Sequence, residues 1–121
     1  MHNFKELKVW QKSIELAVDI YKLTESFPSE EKFGMTSQIR RSAVSVSSNI
    51  AEGSGRKTNK DFSNFLSHSL GSLFELETQL IISHRIDYLN KDDFDKINKD
   101  INEIQKMTFA LISKFSTENK S

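Results

Sequence analysis

The feature that most constrains this chain is the spacing of the apolar residues over its last third. From Phe94 to Phe115 they recur at alternating intervals of three and four. With 3.6 residues per turn, such positions fall on one narrow stripe, so the spacing predicts a helix with a coiled-coil-like seam. The seam consists of Phe94, Ile97, Ile101, Ile104, Thr108, Leu111 and Phe115.

The rest of the chain also favours long helices, because its helix breakers lie at widely separated points. The 121 residues include one proline and four glycines, and interruptions around Pro28, Gly53 and Leu89 divide the chain into four segments. The predicted helices span residues 4–26, 30–53, 58–88 and 91–116. Four such helices joined by short connections predict an all-α fold, an antiparallel up-down-up-down four-helix bundle forming a single domain over residues 1–121.

The first predicted helix carries more apolar surface than one core-facing side needs. One stripe runs from Leu7 to Tyr21, and a second stripe lies about 130° away around the helix. Together they cover roughly 220°, about twice the minimum width of a core-facing stripe. We therefore expect the second stripe to form a contact between the subunits of a homo-oligomer. The residues of the second stripe are Val9, Leu16, Ile20, Leu23 and Phe27.

Charge is distributed unevenly, although 17 basic and 17 acidic residues cancel over the whole chain. Residues 34–60 have five basic residues against the single acid Glu52, whereas residues 87–103 have an excess of acids. A local positive excess attracts phosphates even on a neutral molecule. The alternative is that Arg40 or Arg41 pairs with Glu52 or with an acid of a neighbouring subunit. The candidate nucleic-acid-binding residues are Arg40, Arg41, Arg56, Lys57 and Lys60.

The sequence contains no set of residues suited to catalysis or to metal binding. There is no cysteine, and no two of His2, His68 and His84 are three or four positions apart, as ligands on one helical face would be. No phosphate-binding loop or nucleophile motif is present. We therefore predict a protein that is not an enzyme and that binds no metal or other cofactor.

Polar residues near the end of the second predicted helix lie among small and apolar ones. Asn49 and Glu52 flank Ile50 and Ala51, and buried amides and carboxylates need hydrogen-bond partners. We expect Asn49 and Glu52 to form a hydrogen-bond network that closes the helix and its turn. Gly53 and Gly55 are expected to provide left-handed C-cap positions for the helix.

No apolar run approaches the ~20 residues that a membrane-spanning helix requires. The charged start of the chain lacks the apolar block of a signal peptide. We therefore expect a cytoplasmic protein without membrane contact.

Residues 38–56, above all the run Asn49-Ile50-Ala51-Glu52-Gly53, closely resemble the signature of a bacterial family of four-helix-bundle proteins. This is the family of 23S rRNA intervening-sequence proteins, first noticed as reading frames inside intervening sequences of ribosomal RNA genes. The resemblance covers nearly the whole chain. It also includes Leu7, Trp10, Tyr21, Phe27-Pro28, Glu31, Gly34-Met35, Phe65-Leu66, Gly71-Ser72-Leu73 and Glu75-Leu76-Glu77.

The resemblance implies an antiparallel four-helix bundle that assembles into a ring-shaped homopentamer. The chain is also similar to the accessory variability protein of diversity-generating retroelements, a basic pentamer that binds nucleic acid and a reverse transcriptase. The partners that the resemblance implies are therefore further copies of the chain, RNA or DNA, and a protein.

Two functions are open at this point. The first is an oligomeric binding module that contacts RNA or DNA through the local basic patch. The second is a protein–protein scaffold, for example for a reverse transcriptase, without direct contact to nucleic acid. Salt dependence separates them, because phosphate contacts weaken steeply with added salt and apolar contacts do not.

Overall fold

The computed structural model describes residues 1–118, which form four long helices and two short 3-10 turns. No strand occurs among these residues, so the predicted all-α fold of four helices is confirmed. The end of α2 and the start of α3 lie within one residue of the prediction, and α4 extends two residues beyond it. The helices are α1 (Lys8–Thr24), α2 (Met35–Ser54), α3 (Asn59–Arg85) and α4 (Lys91–Glu118).

The four helices form a closed square in which each packs against the next and α1 packs against α4. Ser42 Oγ of α2 donates a hydrogen bond to Glu75 of α3 at 2.9 Å, and Ser72 Oγ of α3 donates to Ser45 Oγ of α2 at 2.9 Å. Residue numbers therefore rise along α2 as they fall along α3, as in an antiparallel pair. In this arrangement the α1–α2 face and the α3–α4 face lie on opposite sides of the bundle.

Both α1 and α2 begin later than predicted, because a 3-10 turn occupies the expected first turn of each. Phe4–Glu6 forms the turn before α1, and Ser29–Glu31 forms the turn before α2. Gly34, with φ −113° and ψ −115°, separates the second turn from α2. The first residues of the two helices are therefore Lys8 and Met35.

The end of α3 comes three residues before the predicted one, at Arg85, because Asp87 adopts the left-handed conformation with φ of 67°. The Asp87 amide donates to the His84 carbonyl at 3.1 Å, and the Tyr88 amide donates to the Ser83 carbonyl at 2.9 Å. These two bonds are those of a Schellman motif, with aspartate in the position that glycine usually occupies.

One apolar core runs along the bundle and receives side chains from all four helices. The predicted seam of α4 contributes to it, since Ile97, Ile101, Ile104, Thr108 and Phe115 are buried. The Thr108 hydroxyl donates to the Ile104 carbonyl at 2.7 Å, so this polar group is satisfied inside the core. The largest fully buried side chains of the other helices include Leu16, Ile20, Ile39, Ile50, Phe62, Leu66, Leu73, Leu76 and Leu80.

Both apolar stripes of α1 contribute to the core, since Leu7, Trp10 and Ala17 of the first stripe also pack against it. The predicted interface stripe lies inside the monomer: Val9, Leu16, Ile20 and Phe27 are buried in the core, and Leu23 packs against it partly buried. They cannot form a contact between folded subunits, because α2 and α4 already cover that side of α1. The apolar residues that α1 leaves exposed are Ile14, Val18 and Tyr21.

Candidate functional site

The five predicted basic residues form two clusters at opposite ends of α2 and not one patch. Arg40 and Arg41 lie near the start of α2, whereas Arg56, Lys57 and Lys60 follow its end. At 1.5 Å per residue, Arg40 is about 20 Å along the helix axis from the last residue of α2. The predicted patch is therefore divided, and each cluster has its own surroundings.

Arg40 is held in place by the end of α1. Its Nε donates to Thr24 Oγ1 at 2.9 Å, its Nη2 donates to the Tyr21 carbonyl at 3.2 Å, and its Cζ lies 4.6 Å from the centre of the Tyr21 ring. Glu52 instead accepts from Arg56 at 3.2 Å, so Arg40 does not make the alternative pair with Glu52. Arg40 therefore joins α1 to α2 as well as adding positive charge.

An open groove of about 450 Å³ lies between α1 and α2 beside Arg40. Its lining contains three cations, Lys32, Arg40 and Arg41, and no acid. Neither Lys32 nor Arg41 forms an ion pair within residues 1–118. Both charges are therefore available to a ligand. The groove is lined by Tyr21, Lys32, Phe33, Thr36, Ser37, Arg40, Arg41 and Val44.

The second basic cluster is partly neutralised. The Arg56 guanidinium pairs with Glu52 and lies over the Phe65 ring, with its Cζ 4.6 Å from the ring centre. Lys57 and Lys60 are exposed beside it. Because one of its three cations is already paired, this cluster offers a phosphate less net charge than the α1–α2 groove does.

The motif Asn49, Glu52 and Gly53 contributes to the structure of α2. Asn49 Nδ2 donates to the Ser45 carbonyl at 2.9 Å and to Ser45 Oγ at 3.1 Å, which in turn accepts from α3. Asn49 and Glu52 therefore act separately, and the single network that the sequence predicted does not form. Ser45 is the residue through which Asn49 is connected to α3.

Gly53 is important for the packing of α2 on α3. It lies within α2, and Gly55 follows as the C-cap residue with φ −85°. Neither glycine has a positive φ, so the predicted left-handed cap is wrong. A Cβ on Gly53 would lie 2.6 Å from Phe65 Cβ and 2.8 Å from Phe62 Cδ1. Only a glycine lets the two backbones approach this closely.

The groove between α1 and α4 has the opposite charge. About 190 Å³ in volume, it is lined by four acids and two lysines. Lys12 Nζ lies 2.7 Å from Glu103 Oε1, and Lys96 Nζ lies 3.2 Å from Asp100 Oδ2 and 3.9 Å from Asp19 Oδ2. The hydrogen bond from Lys12, together with its charge, holds the pKa of Glu103 below its usual value. The same contact raises the pKa of Lys12. The pairs of Lys12 with Glu103 and of Lys96 with Asp19 connect α1 to α4.

Apolar side chains are exposed on two opposite sides of the bundle. On the α3–α4 face, Phe74 is 52% exposed and Phe109 is 62% exposed, and the two share an open groove of about 450 Å³ with Leu70. On α1, Ile14 and Val18 are exposed. The first face is aromatic and the second is aliphatic.

A profile of the family described as 23S rRNA-intervening sequence protein matches residues 5–110. The chain belongs to this family. The match includes α1, α2 and α3 and most of α4, so every residue lining the α1–α2 groove lies within it. The family membership predicted from the resemblance is confirmed.

A solved structure is also similar to this member of the 23S rRNA-intervening sequence family. It is the crystal structure of a protein of unknown function from the S23 ribosomal protein family of Bacteroides thetaiotaomicron. The sequences are 34% identical, and the superposition has a TM-score of 0.78 and covers 86% of this chain and 97% of that one. Comparison with curated proteins gives no match.

In this family member, no group of three or more His, Asp or Glu side chains among residues 1–116 is arranged to hold a metal ion. Over the same residues, no helix is both long enough and apolar enough to cross a membrane.

The sequence analysis identified only Arg40 and Arg41 among the eight residues that line the α1–α2 groove, and it missed both aromatic residues and the third cation. Lys32 and Phe33 lie in the connection before α2, outside the apolar periodicity, and Tyr21 was assigned to the core side of α1. The signal was available for Phe33, because an aromatic residue directly before Gly34 fits neither helical stripe. A basic residue beside such an aromatic is typical of surfaces that bind nucleic acid.

Proposed function

We propose that this member of the 23S rRNA-intervening sequence family is a non-enzymatic, oligomeric module of the cytoplasm that contacts RNA or DNA. The observation that carries the proposal is the α1–α2 groove, whose lining has three cations and no acid. Two of these cations, Lys32 and Arg41, make no ion pair with residues 1–118. Phosphates are the ligands for which unpaired lysine and arginine side chains are suited.

The electrical neutrality of the chain is compatible with this proposal. The acids are concentrated elsewhere, notably in the α1–α4 groove, where four acids face two lysines. At physiological ionic strength the charges of exposed groups are screened beyond about 8 Å. A phosphate in the α1–α2 groove is therefore closest to the three cations of its lining, while the acids Glu30 and Glu31 lie in the 3-10 turn directly before Lys32.

Oligomerisation is proposed from the two exposed apolar faces. Val18 on α1 and Phe74 and Phe109 on the α3–α4 side are exposed on opposite sides of the bundle. Two different faces on opposite sides fit a head-to-tail contact, in which each subunit uses one face toward each neighbour. Such contacts form a ring when the rotation from one subunit to the next closes, and an open filament when it does not. We propose five subunits, the number that the resemblance implies. A ring repeats the groove and raises the avidity for a long nucleic acid.

Binding of a labelled RNA to the purified protein at low salt tests the nucleic-acid proposal. The variant Lys32→Ala/Arg41→Ala removes the two free cations of the groove. The matched control Lys8→Ala/Lys99→Ala removes the same charge from exposed positions outside the groove. The proposal expects a strong loss of affinity in the first variant and a small loss in the second. Equal affinities of the two variants would contradict it.

A protein–protein scaffold is the second candidate, favoured by the exposed aromatic pair on the α3–α4 face. Phe74 and Phe109 form a groove with little polar surface, and exposed aromatic side chains are typical of contact sites for proteins. If the purified protein binds neither RNA nor DNA at low salt, the scaffold becomes the leading proposal. Its partner would then be expected to remain bound at high salt.

A further inference from the structure

We infer that the α1–α2 groove binds unpaired nucleotides, with the ring of Phe33 as the surface on which a base stacks. This inference rests on the proposed function and specifies its ligand as single-stranded nucleic acid. It is carried by three features of the groove: the exposure of Phe33, the occupied state of Tyr21, and the positions of the unpaired cations.

Phe33 is the most exposed aromatic residue among residues 1–118, with 89% of its surface accessible. It lies between the 3-10 turn that ends at Glu31 and the start of α2, and it takes no part in the core. A phenylalanine with this exposure contributes almost no apolar burial to folding. Its ring is therefore free to accept a planar ligand.

Tyr21, the other aromatic of the groove, is already engaged. The Arg40 guanidinium lies over its ring at 4.6 Å and is fixed there by hydrogen bonds to the Tyr21 carbonyl and the Thr24 hydroxyl. One side of the Tyr21 ring is thus covered by a cation that α1 holds in place. Lys32 Nζ also lies over the Phe33 ring, 5.5 Å from its centre, but no hydrogen bond to the described residues holds it there. With twice the exposure of Tyr21, Phe33 is the aromatic of this groove that is more open to a base.

The free cations are placed to contact the phosphates that flank a stacked base. Lys32 Nζ lies 5.5 Å from the centre of the Phe33 ring, and Arg41 lines the same groove from α2. Positively charged grooves that include an exposed aromatic are how proteins bind single strands without reading their sequence. The groove is open and about 450 Å³ in volume, which is enough space for a nucleotide.

A duplex would not use Phe33 in this way. Its bases are stacked on one another inside the helix, and a protein that binds it electrostatically contacts the phosphates. Duplex binding therefore depends on Lys32 and Arg41 and not on the aromatic ring. This difference between single strand and duplex makes the inference testable separately from the proposed function.

The test measures the affinities of a short single-stranded RNA and of the matched duplex for wild type, Phe33→Ala, Phe33→Trp and Phe74→Leu. The expected result is an about tenfold loss of single-strand affinity in Phe33→Ala, since base stacking on an aromatic is lost. Duplex affinity is expected to stay within about twofold. Phe33→Trp should retain the single-strand affinity of wild type, because tryptophan also offers a ring for stacking. Phe74→Leu, which removes an exposed ring on the opposite face, should leave the single-strand affinity unchanged. Thermal unfolding of each variant verifies its fold.

The outcomes distinguish the two proposals. Wild type that binds neither ligand at low salt overturns the proposed function, and the inference with it. Wild type that binds RNA with an affinity unchanged by Phe33→Ala overturns the inference alone. A loss that is equal for single strand and duplex likewise contradicts stacking, because only an unpaired base can use the ring.

Discussion

The guanidinium of Arg40 lies over the ring of Tyr21, with its Cζ 4.6 Å from the ring centre, and donates to the Tyr21 carbonyl at 3.2 Å. One arginine thus satisfies a carbonyl of the last turn of α1 and covers an exposed aromatic on the same helix. Arg41, the next residue, makes no such contact within residues 1–118. The two adjacent arginines therefore differ in their roles, and single substitutions can measure the two roles separately.

We predict that Arg40→Ala lowers the free energy of unfolding by about 1–3 kcal/mol, because it removes two hydrogen bonds and a cation–π contact. Arg41→Ala should change it by less than about 0.5 kcal/mol, as is usual for an exposed side chain. Urea unfolding of both variants measures the difference. Equal stabilities would show that the contacts of Arg40 contribute nothing.

Gly53 and Gly71 provide a matched pair of helical glycines with opposite expectations. In Gly53→Ala the new Cβ would lie 2.6 Å from Phe65 Cβ, and we predict destabilisation by about 1–3 kcal/mol. In Gly71→Ala the new Cβ meets nothing within 4 Å, and we predict stabilisation by about 0.5–1 kcal/mol from helix propensity. Thermal or urea unfolding checks both signs. A stabilising Gly53→Ala would contradict the close packing of α2 on α3.

The ion pair between Lys12 and Glu103 predicts a dependence of stability on pH. The hydrogen bond and charge of Lys12 lower the pKa of Glu103 in the folded state. A lowered carboxyl pKa contributes stability above the pKa of the unfolded chain, and that stability is lost as pH falls through the folded value. The loss of stability therefore begins near pH 4, at about the ordinary pKa of glutamate, and continues as the pH is lowered further.

A double-mutant cycle measures this contribution. Urea unfolding of wild type, Lys12→Met, Glu103→Gln and the double variant gives the coupling between the two side chains at each pH. We expect a stabilising coupling at neutral pH that weakens with added salt and disappears once the pH is low enough to protonate Glu103 in the folded state. A coupling that persists unchanged at the lowest pH would mean that the carboxylate of Glu103 is not its source.

The head-to-tail assembly predicts how two single-face variants behave together. Val18→Glu places a charge on the α1 face, and Phe109→Glu places one on the α3–α4 face. Each variant alone should have the mass of a monomer in light scattering, because every junction in its ring is damaged. A mixture should form heterodimers, since each chain retains one intact face that fits the other. Monomeric wild type, or a mixture that stays monomeric, would contradict this assembly.

The sequence predicted the four helices because the alternation of three and four, as from Phe94 to Phe115, has no other common interpretation. It did not predict which stripe of α1 is buried. Val9 and Ile20 on one stripe are as apolar as Ile14 and Tyr21 on the other, so periodicity identifies two faces without ranking them. The positions of α2 and α4 determine which residues of α1 are buried, and these positions depend on the packing of the whole bundle.

The candidate site was predicted in part. Charge counting found Arg40 and Arg41, but it grouped them with Arg56, which lies beyond the other end of the same helix. The rise per residue of a helix would have separated them. Lys32 and Phe33 were missed because they enter the groove through the packing of their connection beside α1, which no periodic pattern records.

The salt dependence of single-stranded RNA binding, compared between wild type and Lys32→Ala/Arg41→Ala, shows whether the α1–α2 groove contacts the phosphates. On a plot of log binding constant against log salt concentration, each phosphate contact to a single strand contributes a slope of about −0.7. We predict a steep slope for wild type. In the variant the slope should be shallower by about 1.4, because two phosphate contacts are lost. An unchanged slope, or an equal change in Lys8→Ala/Lys99→Ala, would contradict the α1–α2 groove as the nucleic-acid site.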